Sequence, residues 1–293
     1  MRQRAVIMLL CTAALWSTSG LLIKLISWGP LAIMGGRSLI ASFVVLAYLR
    51  GHVDIRFTRY QVLGAICYVL VQVFFISATK LTTAANAIFL QYACPIYLVI
   101  LGYWFLKEKP QRADWVAMGV IIAGLALFFS DQLSFSGLYG NILAILSGMA
   151  FAGTMLFMRL QKDGTPANTV LLGNILAAVV GLPFVFLFHE KIQPTDIGII
   201  LYLGILQIGL SYVLYSIAIK HIHVLEANLI LALEPILNPI WVFLVIGEKP
   251  GLSALLGGIL VIGAVTFRAV VSARTPEVGP APAAVEVAAP PIP

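Results

Sequence analysis

Along this chain apolar residues run in stretches of roughly 20, the length that carries a helix across a hydrocarbon core about 30 Å thick at 1.5 Å per residue. Polar residues fall in short clusters between them: "WGP", "RGHVDIRFTRY", "TKLTT", "KEKPQRAD", "SDQLSFSG", "QKDGTPAN", "HEKIQPTD", "KHIH" and "GEKPG". The pattern predicts ten spanning helices, at 5–27, 31–50, 60–79, 84–106, 113–130, 138–160, 168–188, 196–219, 224–246 and 252–271. Several connections are so short that successive helices are expected to run antiparallel and side by side. The start, "MRQRAVIMLLCTAALWSTSGLLIKL", has the basic head of a signal peptide. Its apolar stretch, about 19 residues, is too long for an h-region and no A-x-A site follows, so it reads as a retained first span. The far end, 272–293, holds six prolines among Ala and Val. Such a segment sustains neither helix nor core, and a disordered Pro/Ala-rich tail is expected.

Two of the polar clusters share a tripeptide, Glu108-Lys109-Pro110 and Glu248-Lys249-Pro250, 140 residues apart. Laying 80–110 on 220–250 without gaps gives eight identities in 31 positions, among them Lys80 with Lys220, Ala87 with Ala227 and Pro95 with Pro235. Gly64 matches Gly204, and Gly119 and Gly124 match Gly258 and Gly263 after a one-residue deletion. The chain therefore reads as a duplicated five-helix unit, 5–130 and 137–271. Five crossings are odd, so the second copy enters the membrane upside down. An inverted-topology repeat is what secondary transporters use to alternate access around a site on the pseudo-two-fold axis.

Composition agrees with this picture. Of 293 residues 61% are hydrophobic and 10% charged, with a mean hydropathy of +1.01; soluble domains carry about 25% charged residues. The expected fold is an all-α polytopic membrane protein with ten transmembrane helices as two inverted five-helix repeats, its partner the lipid bilayer. Thirteen Lys and Arg fall on one side of the predicted spans and four on the other, with Arg37 left inside the second span. That asymmetry puts both termini in the cytoplasm of a cell inner (plasma) membrane protein. The net charge of +6 implies no nucleic-acid partner, because the basic residues flank apolar runs and form no stripe with aromatics between them. Cys11, Cys67 and Cys94 lie within apolar runs without metal-ligand spacing and read as small buried hydrophobes. Neither metal nor cofactor is expected. The absence of G-x-S-x-G, H-E-x-x-H and P-loop motifs argues against an enzyme or an ATP-driven pump.

Polar groups in hydrocarbon are expensive, so each intramembrane one needs an account. Glu234 lies mid-span in "LALEPILNPI", where Pro235 and Pro239 remove main-chain donors and free carbonyls towards a cavity. Asn238 shares its face at i+4. Gln207, Ser211 and Tyr215 recur at i, i+4 and i+8 in the eighth span; Tyr68 and Gln72 do so in the third. Gln91 and Tyr92 precede Pro95 by one turn, Trp16 lies in the first span, and Thr154 stands beside Gly153 in the sixth. Together they suit a small amphipathic ligand, although each alone also reads as a hydrogen bond between helices. Pro95, Pro235 and Pro239 are candidate hinges. Arg37 reads either as snorkelling to the interface or as binding a substrate carboxylate. Trp28, Tyr103, Trp104 and Trp115 read as interfacial anchors, and the two Glu-Lys-Pro tripeptides as hydrated stops between helices.

The segments "ALWSTSGLLIKL", "QYACPIYLVILGYWFLKEKP" and "LEANLILALEPILNPIWVFLVIGEKPGLSALLGGILVIGAV" resemble the drug/metabolite transporter superfamily, in particular its EamA-type ten-helix exporters. Within that group, "LWSTSG" and "QYxxP" look like bacterial aromatic amino-acid exporters of the YddG type. The resemblance implies a secondary transporter that exports small organic metabolites, above all amino acids including aromatic ones. It also implies a central cavity lined from both copies, and it favours Trp16 and Tyr92 because they lie in the matching segments. Export of drugs, nucleotide sugars or triose phosphates on the same scaffold, or lipid scrambling, are the alternatives.

Overall fold

A computed structural model describes residues 2–107, 110–130, 135–160, 166–187, 192–218, 221 and 230–274. Every regular element among them is helical. In chain order these are α1 (Arg2–Ser17), α2 (Ser19–Leu25), α3 (Pro30–Leu49), α4 (Arg59–Leu81), α5 (Ala84–Gln91) and α6 (Cys94–Leu101), which continues as a π-turn, Gly102–Leu106. Next come α7 (Arg112–Ser130), α8 (Phe135–Arg159), α9 (Pro166–Leu187), α10 (Pro194–Tyr202), a π-helical segment Leu203–Leu210 and α11 (Ser211–Ala218). The chain closes with α12 (Leu233–Ile246) and α13 (Leu252–Arg274). Among the described residues seven stretches are long and apolar enough to cross a bilayer: Arg2–Leu25, Pro30–Leu49, Arg59–Leu81, Ala84–Phe105, Gly137–Met158, Ala167–Leu187 and Pro194–Ala218. Leu233–Ile246 and Leu252–Arg268 are shorter apolar helices. The protein is an all-helical, multi-pass membrane protein.

Helix ends follow local chemistry. Pro30 opens α3 at the first position, where a missing N–H is harmless. Thr58 and Thr83 accept N-cap hydrogen bonds from the backbone of Gln61 and Asn86, and Gly247, at φ 76°, ends α12 in the left-handed conformation. Two expected continuous spans are instead broken, the first at Thr18 and the fourth at Tyr92–Ala93. The last helix persists to Arg274, past the expected start of the tail; residues 275–293, and 224–229 of the ninth expected span, lie outside the described residues.

Small residues let the helices pack closely. A Cβ at Gly35 of α3 would lie 2.4 Å from the Gly181 carbonyl carbon of α9, and one at Gly181 2.5 Å from the Gly35 nitrogen, so here two backbones touch. Helices α4 and α8, α3 and α9, and α7 and α13 form the most extensive pairs. Polar ties hold each end of the bundle. At the end that carries Arg2, Asp114 pairs with Arg268, and Asn168 accepts the Asp54 backbone N–H at 3.2 Å. At the opposite end Asp196 accepts from the Ser27 hydroxyl at 2.9 Å, Lys80 donates to the Ile26 carbonyl, and Glu248 pairs with Lys24 at 2.8 Å.

Three expectations change here. Trp28 is not an interfacial anchor: it is 7% exposed and packs in the core, whereas Tyr103, Trp104 and Trp115 do face outward. Cys11 is exposed on α1 rather than buried, because it sits on the outer face of that helix. Glu248 is more than a hydrated stop, since its other oxygen accepts the Ala84 backbone N–H at 2.8 Å and caps α5 from the connection between α12 and α13. Lys249 is exposed; Glu108 and Lys109 lie outside the described residues.

Candidate functional site

The irregularities in the helices are where polar groups gather. At the end of α1 the hydroxyls of Ser17 and Thr18 bond back to the carbonyls of Ala14 and Leu15, both at 2.7 Å, an alternative to the helical ladder that interrupts it. Trp16 sits on this break. In the fourth span Pro95 has no N–H for the Gln91 carbonyl, and the chain turns before restarting as α6. Pro235 likewise frees the Leu231 carbonyl, and the Tyr92 hydroxyl, itself on the break ahead of Pro95, lies 3.2 Å from that oxygen. The same hydroxyl is 2.9 Å from the Glu234 carboxylate, so its one proton is shared between the two acceptors. The two proline breaks thus meet across the bundle through one tyrosine.

The third irregularity is the π segment Leu203–Leu210. Its Gly204 lies against the Arg37 carbonyl and Ile40, and its Gly209 against Val44, so the segment is pressed onto α3. Beyond it, Ser211 Oγ accepts from the Trp16 indole N–H at 2.6 Å. Trp16 packs on Tyr212 and Tyr215, with ring centroids 5.2 and 5.9 Å apart. Tyr212 meets Tyr68 edge-on at 5.7 Å, and Tyr68 donates to Asn174 at 3.3 Å. Two charged side chains flank this aromatic wall: Gln72, one turn after Tyr68 on α4, bonds Arg37, and Leu231, in the apolar cluster against which Trp16 and Tyr215 pack, lies beside Glu234 through the Tyr92 hydroxyl.

Arg37 is 4% exposed, so the snorkelling reading is wrong. Its helix α3 packs against the π segment and α9, and the side chain turns to Gln72 of α4 within the bundle. Its Nε donates to Gln72 Oε1 at 3.0 Å, and the Ser38 hydroxyl donates to the same oxygen at 3.2 Å.

Of the residues singled out in the sequence, Trp16, Tyr68, Ser211 and Tyr215 belong to the aromatic wall, Gln72 bonds the Arg37 beside it, and Tyr92 and Glu234 meet at the break that the Leu231 carbonyl joins. Others lie elsewhere. Gln91 donates to Ser147 of α8 at 2.8 Å, and Thr154 bonds to the Ala150 carbonyl of its own helix. Asn238 reaches the Ser19 hydroxyl at 3.5 Å against Gly20. Gln207 is buried within the π segment with its Oε1 unpartnered. Pro239 lies inside α12, four residues after Pro235. Tyr212 and Asn174 escaped the sequence reading. An asparagine in mid-span is a usable signal; Tyr212 falls outside the strict four-residue stripe of Gln207, Ser211 and Tyr215, although at three residues before Tyr215 it shares a face of α11 with it and both rings meet Trp16. A separate cleft of about 490 Å³ opens at the Lys24 end, lined by Trp28, Phe74, Lys80 and Tyr139 among others, and none of the candidate residues lines it. Among the described residues no three His, Cys, Asp or Glu side chains gather as metal ligands would.

The EamA-like transporter family model matches the chain twice, at residues 3–130 and 138–269. YwfM of Bacillus subtilis, an uncharacterized transporter, is 26% identical over 87% of this chain and 92% of its own length. An uncharacterized transporter of Archaeoglobus fulgidus is 25% identical over 90% of this chain and 97% of its own. A solved crystal structure of a protein superposes with a TM-score of 0.65 at 20% identity, covering 94% of this chain and all of that one, which makes the fold similar and says nothing of substrate.

Proposed function

We propose, from the premise that this chain belongs to the EamA-like transporter family, that it is a secondary transporter exporting amino acids, aromatic ones included, from the cytoplasm. In this reading it lies in the inner (plasma) membrane with both termini inside, and ten helices form two inverted five-helix repeats. The doubled family match supports the repeat, and so does the packing. The contact of α4 with α8 has its counterpart in that of α11 with α1, and α3 with α9 and α7 with α13 pair equivalent helices of the two halves. Rocking of the halves, with bending at Pro95, Pro235 and Pro239, would alternate access.

The observation that carries the substrate reading is the aromatic wall of Trp16, Tyr68, Tyr212 and Tyr215, built from both halves and joined to polar groups. Indole and phenol rings offer flat apolar faces with a few hydrogen-bonding edges, the surface that suits an amphipathic metabolite of amino-acid size. Reconstituted vesicles exposed to a panel of radiolabelled amino acids test it, with aromatic members expected among those transported. Trp16→Ala and Tyr92→Ala are expected to abolish flux while the protein still inserts. Normal flux through both variants, or no amino-acid flux through the wild type, would overturn the reading.

A further inference from the structure

The two charges beside the aromatic wall have complementary shortages. Arg37 is buried, and its one bond within the protein leaves from Nε to Gln72. No carboxylate among the described residues pairs with its guanidinium. Gln72 uses its oxygen for Arg37 and Ser38, and its Nε2 is buried with no acceptor. This side of the cluster therefore holds donors and a positive charge without acceptors. The other side is the reverse. Glu234 is half-buried and receives only the shared Tyr92 proton, beside the Leu231 carbonyl that Pro235 deprived of its helical donor. No Lys, Arg or His among the described residues pairs with this carboxylate.

A buried guanidinium and a half-buried carboxylate each carry a desolvation penalty unless an opposite charge and hydrogen bonds offset it. Here the two are not paired with each other, and they stand on two sides of the aromatic wall: Arg37 through Gln72, one turn after Tyr68 on α4, and Glu234 through Tyr92 and Leu231, which lies in the apolar cluster against which Trp16 and Tyr215 pack. Had either served only to join helices, a neutral side chain such as the Gln91 that bonds Ser147 would do so at lower desolvation. We infer that Arg37, with Gln72, receives the carboxylate of a zwitterionic substrate while Glu234, with the Leu231 carbonyl, receives its ammonium group, the aromatic side chain lying against Trp16 and Tyr212. This deepens the amino-acid reading above and rests on it. A phosphorylated anion fits less well, because it would meet a single cation and an opposing carboxylate.

The test uses the full-length protein in proteoliposomes, with tryptophan, tryptamine, which lacks the carboxylate, and N-acetyltryptophan, which lacks the ammonium. In the wild type, tryptamine and N-acetyltryptophan are expected to inhibit tryptophan counterflow only at concentrations at least about tenfold above that of tryptophan itself, since charge-assisted hydrogen bonds are lost. Arg37→Gln is expected to erase the discrimination against tryptamine, and Glu234→Gln that against N-acetyltryptophan, each leaving the other intact. Equal inhibition by all three compounds in the wild type, with tryptophan carried, would overturn the two-charge inference while leaving amino-acid transport standing. Absence of tryptophan flux in the wild type, with other amino acids also refused, would overturn the underlying reading instead. The wild-type competition decides the matter even if a variant fails to fold.

Discussion

Glu248 is the sharpest place to test whether the repeated tripeptide has work beyond ending a helix. From the connection between α12 and α13 its carboxylate ties α5 to α2: one oxygen accepts the Ala84 N–H at 2.8 Å and the other lies 2.8 Å from Lys24 Nζ, which also donates to the Thr82 carbonyl at 2.7 Å. An anion at the start of α5 meets the unsatisfied N–H groups and the positive end of the helix dipole. The side chains of Lys24 and Glu248 are 18% and 22% exposed, so solvent screens the pair and its share is about 0.2–1 kcal/mol. The capping hydrogen bond adds about 1 kcal/mol. Glu248→Gln keeps an acceptor for Ala84 and loses the charge, and is expected to destabilise the folded bundle by less than about 1 kcal/mol. Glu248→Ala loses both and is expected to cost about 1–2 kcal/mol. Unfolding in mixed micelles, followed by tryptophan fluorescence, gives both values, and a cycle with Lys24→Met isolates the coupling. Equal stabilities for the alanine and glutamine variants would refute the cap, and strictly additive Glu248→Gln and Lys24→Met effects would refute the pair.

Gly35→Leu is expected to destabilise by 1–3 kcal/mol or more through overpacking, because its Cβ would lie 2.4 Å from the backbone of α9, whereas Gly119→Leu, with open space around it, should leave the unfolding transition in place; thermal unfolding of both variants checks this. Pro235→Ala returns an N–H that competes with the Tyr92 hydroxyl for the Leu231 carbonyl, and transport in vesicles is expected to fall roughly fivefold, about one net hydrogen bond, at unchanged membrane insertion.

The crossing segments were legible because membrane thickness is a physical ruler. The second and third spans, expected at 31–50 and 60–79, appear as Pro30–Leu49 and Arg59–Leu81. What happens inside a span is decided otherwise. Nothing in a hydropathy pattern says that the Ser17 and Thr18 hydroxyls will turn back on the helix, while Pro95 and Pro235 announce their breaks because a missing N–H is written in the sequence. The π segment depends on the contact of Gly204 and Gly209 with α3, and that contact is tertiary.

The same distinction explains the uneven reading of the polar residues. Spacing places Gln91, Gln207 and Glu234 equally inside the bilayer, and hydropathy prices all three alike. Their differences lie in what remains unsatisfied after packing. The Gln91 amide is buried and donates to Ser147, whose hydroxyl in turn donates to the Val71 carbonyl, so this chain of bonds closes between helices. Glu234 and Tyr92 keep accessible surface and an acceptor without a protein partner, and Arg37 keeps donors without one. A helix-joining bond is complete in itself, whereas a binding site is incomplete until its ligand arrives. Incompleteness is a property of the assembled bundle, and it separates Glu234 and Arg37, which are charged, from a closed pair such as Gln91 and Ser147.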